Sequence, residues 1–484
     1  MKRETAFEQG NRLLAAGDYP QAIAAFDRCL AQDARDWQAC FNRGTAWMRQ
    51  KQYAQALQDY LRAAELNPAS TNIKCNLAVL LKELGEFKLA ETLLLEALGQ
   101  DARQQEAWSN LGVVLQHQQR YADAIECHRN ALQLGGERPG LLNNLGNALA
   151  NALRLEEALD AYQRGLAQAP DDAGLAFNCS ITLLLLGRYR EAWPLYEERW
   201  RSFLTPRFRE RPWRGEALDG KTLLLWAEQG LGDSLQMARF LPELRRRYPR
   251  ARLRLAAPAA FTRLFRQLDG VELRELDDNL ALEDCDWQLP LMSLPLRLDL
   301  ELAQLDGAPY LCVDPVWLGD SHRLPPVAGK RLRVGIVWQS GVWGVGAQDA
   351  QRRSKSIPLP QFLPLLETAD VDWVSLQPEP PPAEMAGRVA HYPLRDFADT
   401  AAVVSQLDLV ISVDTAVVHL AGALGAPVWV LMRYESAPFF MAAGERAPWY
   451  ASARVWRQPA PGAWSDVIAE VCRALPAFGA KVLA

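Results

Sequence analysis

A 34-residue period runs through the first two fifths of the chain and restricts that part to stacked helical hairpins. Tyr19, Tyr53, Phe87, Tyr121, Leu155 and Tyr189 stand 34 residues apart, five intervals in succession. Three residues after each comes an alanine: Ala22, Ala56, Ala90, Ala124, Ala158 and Ala192. Four residues further stand Phe26, Tyr60, Leu94, His128, Tyr162 and Tyr196, and upstream one position stays small at Gly10, Gly44, Ala78, Gly112, Gly146 and Ser180. Gly17, Gly85 and Gly187 precede three of the turns, where a helix is expected to end. A unit this short cannot bury its apolar face alone, so the units must stack. The expected unit is two antiparallel helices, A and B. Small residues sit where the two cross, and rings fill the gap between neighbouring units.

These positions resemble tetratricopeptide repeats, six in register over residues 3–203. Lys74 departs from the pattern where an aromatic is usual, and only Pro68 and Pro170 occupy the usual closing proline. Asn42, Asn76, Asn110, Asn144 and Asn178 recur on helix A two residues before the small position. Repeated amides are costly unless exposed or hydrogen-bonded. One reading is a ladder that binds the backbone of an extended acceptor peptide; the other is a set of links between adjacent repeats.

Composition narrows the function classes. The 484 residues carry 53 Lys+Arg against 58 Asp+Glu, a formal net charge of -5. That balance argues against a dedicated nucleic-acid binder, which needs a basic face, although Arg245, Arg246, Arg247, Arg250, Arg252 and Arg254 form a local basic cluster. The most apolar long stretch, 407–432, is interrupted by Asp408, Asp414 and His419, so no transmembrane segment is expected. Lys2, Arg3, Glu4 and Glu8 open the chain with no apolar core behind them, unlike a secretory leader. Eight scattered cysteines without a C-x-x-C pair, and five dispersed histidines, point to no metal site and to a reducing cytoplasm.

Beyond Trp200 the period stops. Residues 204–220 read as an Arg- and Pro-rich linker. Strands and helices then alternate, implying a parallel sheet with crossover helices. The first set spans 221–328, with strands at 221–227, 251–257, 271–276 and 286–291 and helices at 233–247 and 259–268. Its closing linker is 321–329. The second spans 329–484, with strands at 332–339, 371–377, 408–413 and 427–432 and helices at 359–367, 400–407, 415–424 and 464–475. Two such domains leave a cleft between their strand ends, where open parallel sheets bind ligands.

Within the second set, a buried strand stops at Asp414 and a helix begins at once. The free N–H groups and positive dipole end of such a helix form an anion site. The bland alternative is that Asp414 and Thr415 merely cap this helix and His419 merely packs. The block Asp408-Leu-Val-Ile-Ser-Val-Asp414-Thr415-Ala416-Val417-Val-His419-Leu-Ala-Gly422 resembles the donor-binding segment of the heptosyltransferase-like glycosyltransferases, family 9. Lys355-Ser-Ile-Pro-Leu359, Val374-Ser-Leu-Gln377, Asp396-Phe-Ala-Asp-Thr400 and Trp226-Ala-Glu-Gln-Gly-Leu-Gly-Asp233 are similar to the same group.

The resemblance implies an α-solenoid followed by an α/β GT-B fold of two Rossmann-like domains, with a nucleotide-diphosphate sugar as donor substrate and no separate cofactor. It implies that the backbone at Thr415, Ala416 and Val417 holds a phosphate, that Asp414 or His419 faces phosphate or sugar, and that Lys355 neutralises the diphosphate. Without the resemblance, Lys355 is a solvated charge in the run from Arg352. Ser340 and Gly341 would approach the donor, and Gln377 would end a strand beside the base or ribose. Asp233 becomes the candidate base that takes the acceptor hydroxyl's proton, against the alternative of a helix cap; Glu228 is the fallback. Arg433-Tyr-Glu-Ser-Ala-Pro-Phe-Phe440 departs from the aromatic Asp-Trp-Arg-Trp-like stretch of that group, as does the loop 341–353 with Trp343.

The expected activity is therefore a cytoplasmic, metal-independent, inverting glycosyl transfer to a protein held by the repeats, such as a flagellin or another surface protein. A lipid-linked or oligosaccharide acceptor, and a catalytically degenerate binding scaffold, are the alternatives.

Overall fold

The computed structural model describes residues 5–319, 322–326, 329, 331–341 and 355–482. It divides into two compact units at residue 175.

The repeat helices pair as α1 (Ala6–Ala15) with α2 (Tyr19–Gln32), α3 (Trp37–Arg49) with α4 (Tyr53–Leu66), and α5 (Thr71–Glu83) with α6 (Phe87–Gln100). They continue as α7 (Gln105–His117) with α8 (Tyr121–Gly135), α9 (Pro139–Asn151) with α10 (Leu155–Gln168), and α11 (Ala173–Leu185) with α12 (Tyr189–Tyr196). Every helix A ends on a residue in the left-handed region: Gly17, Lys51, Gly85, Gln119, Leu153 and Gly187, with φ between 58° and 84°. The backbone thus keeps the 34-residue period even where the glycine is missing.

The rings meet the expectation only in part. Phe87 stacks on His117 of the next repeat at 5.0 Å, but Phe26, Tyr60, His128 and Tyr162 fill space inside their own repeat. A Cβ on Gly10 would fall 2.6 Å from the Phe26 ring, on Gly44 2.9 Å from Tyr60, on Gly112 2.4 Å from His128, and on Gly146 2.5 Å from Tyr162. Helix A is therefore held to small residues because a ring from its own helix B lies directly on its backbone.

The second unit holds two mainly parallel sheets. Strands β1 (Thr222–Trp226), β2 (Arg252–Ala257), β3 (Val271–Glu275) and β4 (Trp287–Pro290) form the first, in the order β3-β2-β1-β4. The second contains β5 (Leu332–Val337), β6 (Val371–Ser375), β7 (Val389–His391), β8 (Leu409–Val413), β9 (Val428–Met432), β10 (Arg446–Ala447) and β11 (Tyr450–Arg457). Its order is β10-β11-β9-β8-β5-β6-β7, with only the β10–β11 pair antiparallel. Strands β1, β8 and β9 are buried along their whole length, as parallel strands covered on both faces must be.

Several expectations shift. The helix expected over 233–247 is broken into Leu231–Ala238 and Leu241–Arg247, because Pro242 cannot continue a helical ladder but suits a first turn. Strands β7, β10 and β11 had no counterpart in the sequence reading. The stretch 204–220 lies along the first sheet instead of running free: Trp213 is fully buried and its N–H donates to the Gln288 carbonyl at 2.8 Å.

Helix α12 and the turn after it are built into the α/β core. The Trp449 indole donates to the Tyr189 hydroxyl at 2.8 Å, and the Trp193 indole donates to the Leu300 carbonyl. Arg199 is completely buried, donating to Glu228 at 2.8 Å, Glu197 at 2.7 Å and Ser293 at 2.8 Å. Arg263 joins the two sheets' domains through both Asp396 oxygens at 2.6 Å. Asp396 and Asp399 of the 396–400 segment thus act as a clamp on Arg263.

Candidate active site

A cavity of about 910 Å³ opens at the carboxyl ends of β1, β5, β6 and β8. It gathers Asp233, Ser340, Lys355, Gln377, Asp414, Thr415, Ala416, Val417 and His419, which span nearly two hundred positions of sequence. The crossings β1–β4 and β5–β8 are the places where strand order reverses, and such reversals open crevices in doubly wound sheets.

The anionic end is built at β8. This strand delivers the chain to Asp414, and the helix Ala416–Leu424 begins immediately. Thr415 holds the N-cap position in extended conformation, yet no side chain caps the helix; its hydroxyl lies 3.1 Å from that of Ser412. The first-turn N–H groups therefore face the cavity without a capping side chain, with the dipole behind them. Lys355 donates to Asp414 Oδ2 at 2.8 Å. Burial alone would raise the Asp414 carboxyl, but the adjacent ammonium outweighs it and the group lies below its ordinary value.

Across the cleft stands Asp233, the third residue of the helix Leu231–Ala238 and not its cap, which is Gly230. Its Oδ2 accepts from the Gly230 N–H at 2.8 Å, so the capping role and the cavity position coexist. Burial pushes its pKa up to about 6, the Gly230 bond and Lys355 opposing and Asp414 assisting. The two helices meet at Gly232: a Cβ there would lie 2.7 Å from His419 Cδ2 and 3.6 Å from the Ala416 Cα. Only glycine allows that approach.

His419 turns Nδ1 to the Tyr450 hydroxyl at 3.0 Å, and its ring lies 5.7 Å from Phe440. Burial drops its pKa to about 4, so its ring is uncharged at neutral pH. Gln377 Oε1 accepts from the N–H groups of Trp338 and Gln339 at 3.2 and 2.9 Å, fastening the loop after β5. The Ser340 N–H donates to Ser356 Oγ at 3.0 Å. Glu228, the fallback base, is committed to Arg199. Trp343, Arg352 and Arg353, with most of the loop 341–353, lie outside the described residues.

Sequence reasoning missed Phe177, Ile181 and Tyr196, which belong to the last repeat yet line this cavity. Arg457 donates to Ser436 Oγ and the Phe440 carbonyl, both at 2.5 Å, and so shapes the divergent 433–440 loop. The 34-residue period places Tyr196 in the repeat core and carries no sign that a cavity lies beside it.

None of the asparagines is among the residues that line this cavity, and all are half-buried on their A helices. Asn42 donates to Asn11 at 2.7 Å and Asn144 to Ser109 Oγ at 3.1 Å, both bonds joining adjacent repeats. Asn76 donates to the Asn72 carbonyl within its own helix.

Residues 388–461 match glycosyltransferase family 9 (heptosyltransferase), and residues 7–71 and 103–171 match tetratricopeptide repeat families. The chain is thus similar to tetratricopeptide repeats in its first part and to glycosyltransferase family 9 over 388–461. Protein FlbA of Caulobacter vibrioides is 27% identical over 504 aligned positions, covering 96% of this chain and 83% of that protein. Human Tetratricopeptide repeat protein 7A is 36% identical over 87 residues, 18% of this chain and 10% of that one. Among solved structures, the APC/C hetero-tetramer Cut9-Hcn1 aligns with a TM-score of 0.39 and 21% identity, over 40% of this chain and 39% of that chain. PilW, a type IV pilus biogenesis factor, aligns with a TM-score of 0.39 and 18% identity, over 42% and 94%.

The family 9 match takes in Asp414 to His419 but neither Lys355 nor Asp233, whose assignment rests on geometry. Among the described residues, no helix is long and apolar enough to cross a membrane. Nor do three or more His, Cys, Asp or Glu side chains converge as metal ligands would, among those residues.

Proposed function

We propose that this glycosyltransferase moves a sugar from a nucleotide-diphosphate donor to a hydroxyl of a protein acceptor, in the cytoplasm and without a metal ion. The acceptor class includes flagellins and other surface proteins, held along the repeats by Asn42, Asn76, Asn110, Asn144 and Asn178. The uncapped helix start at Thr415–Val417, opening beside Lys355 into the cavity that also holds Asp233, is the observation that supports this reading most.

In the proposed reaction the acceptor oxygen attacks the anomeric carbon from the Asp233 side. The new carbon–oxygen bond forms as the bond to the β-phosphate oxygen breaks, with inversion. The acceptor proton passes to Asp233, whose pKa of about 6 leaves it mostly ionised at neutral pH yet basic enough to accept. The departing diphosphate's charge falls on the N–H groups of residues 415–417 and on Lys355, donors already in place before the charge develops. Asp414 holds Lys355 at that spot and faces the sugar. Ser340 and Gln377 support the loops against which the nucleotide lies. The domains assigned to these roles are 221–328 for the acceptor side and 329–484 for the donor.

The test is turnover of UDP-, ADP-, GDP- and dTDP-linked sugars with candidate acceptor proteins. Transfer with at least one donor is expected. No turnover with any, together with no donor binding by calorimetry, would leave the scaffold reading in its place.

A further inference from the structure

We infer that helix α11 forms an apolar acceptor subsite inside the catalytic cavity, selecting peptides with an uncharged apolar side chain beside the hydroxyl that receives the sugar. The inference rests on the transferase reading and adds the acceptor's chemistry to it.

Phe177 and Ile181 stand four residues apart on α11, hence on one face, and both line the cavity. Phe177 packs on Tyr196 at 5.5 Å and on Phe203 at 4.8 Å, which fixes its ring. Tyr196 and Gln229 hydrogen-bond to each other at 2.9 Å, directly before the turn that carries Asp233. Pro438 and Phe439 of the loop shaped by Arg457 extend the same wall. The loop is anchored where Phe439 lies 5.3 Å from Trp449 and stacks on Trp193 of α12. The last repeat thus supplies one wall of the cavity and the footing of another.

Charge decides the occupant. Among the described lining residues the charged side chains are Asp233, Glu379, Asp414 and Lys355, and Lys355 already pairs with Asp414. Among the described residues, a phosphorylated saccharide acceptor would meet carboxylates with no second lysine or arginine to balance it. A neutral saccharide needs many polar partners, and on this wall the Tyr196 and Gln229 polar groups already bond to each other. An apolar peptide side chain seated on Phe177 and Ile181 leaves nothing unpaired, while the neighbouring hydroxyl turns to Asp233.

The experiment compares matched Ser/Thr peptides flanked by Leu or Phe, or by Asp, Glu or Lys, with a phosphorylated oligosaccharide. It uses the full chain and the donor found by the turnover screen. The expected KM is at least tenfold lower for apolar flanks. Ile181→Asn and Phe177→Ser should each erase that preference, with donor affinity by calorimetry within twofold of wild type as evidence of an intact fold. Equal KM values, a preference that survives both variants, or better transfer to the phosphorylated oligosaccharide would overturn the subsite while the transferase stands. Donor binding with every peptide refused would overturn it as well. Absence of both donor binding and transfer would overturn the transferase reading beneath it.

Discussion

The repeats and the α/β unit solve burial in opposite ways. In the repeats, each decisive contact joins residues about sixteen positions apart, as with Gly146 and Tyr162, and the same contact recurs along the array. In the α/β unit, Gly232 meets His419 and Arg263 meets Asp396, contacts made once and across long stretches of chain. A repeated local contact is redundant: Leu153 or Lys51 can replace the capping glycine and the helix still turns. A contact made once has no understudy. Damage should therefore be local in the first region and decisive in the second.

The largest effect should come from Asp233→Asn. Turnover should fall about 100- to 10,000-fold, the usual range for a lost general base, while a urea melt shows a fold more stable by about 1–3 kcal/mol at neutral pH. The sign follows from burial: the folded state holds the Asp233 proton more tightly than the unfolded chain, so ionisation weakens the native state as pH rises from about 4 through about 6. In the wild type, kcat/KM should decline as pH falls below about 6, because the base must be ionised. A flat profile across that range would remove Asp233 from the role.

Next in size is Arg199→Met, which leaves Glu228 buried without its partner. Denaturant unfolding should show a loss of about 3–5 kcal/mol from the α/β unit's transition. A loss below about 1 kcal/mol would show that singly made contacts are not as critical as the comparison holds. Gly146→Ala is the matching change in the repeats. It forces Tyr162 off the helix and should cost about 1–3 kcal/mol, leaving donor affinity as it was. Smallest is Lys51→Gly, which removes a strained left-handed residue from an exposed cap and should stabilise the repeats by about 0.5–1 kcal/mol.

The same contrast explains what could be read from sequence. The six hairpins were legible because their contacts are local and periodic. Ring packing within the repeat was not, since periodicity shows that a position is small without showing what lies on it. In the α/β unit the continuous apolar runs of β1, β8 and β9 announced themselves. Strands β7, β10 and β11 did not: two are only two or three residues long, and β11 mixes Arg454 and Arg457 into an alternating pattern. Asp414 and Thr415 marked the helix start at 416, but their failure to cap it is a matter of side-chain geometry. Phe177 and Ile181 read as one more repeat core until the chain's folding brought them to the cavity.

Calorimetric titration of UDP, ADP and GDP into the wild type and Lys355→Ala tests the diphosphate cradle most directly. At least one nucleoside diphosphate should bind, and removing the lysine should weaken it about 10- to 100-fold, the worth of one charge-assisted contact. Equal affinity in the two proteins, or no binding of any of the three, would contradict the account.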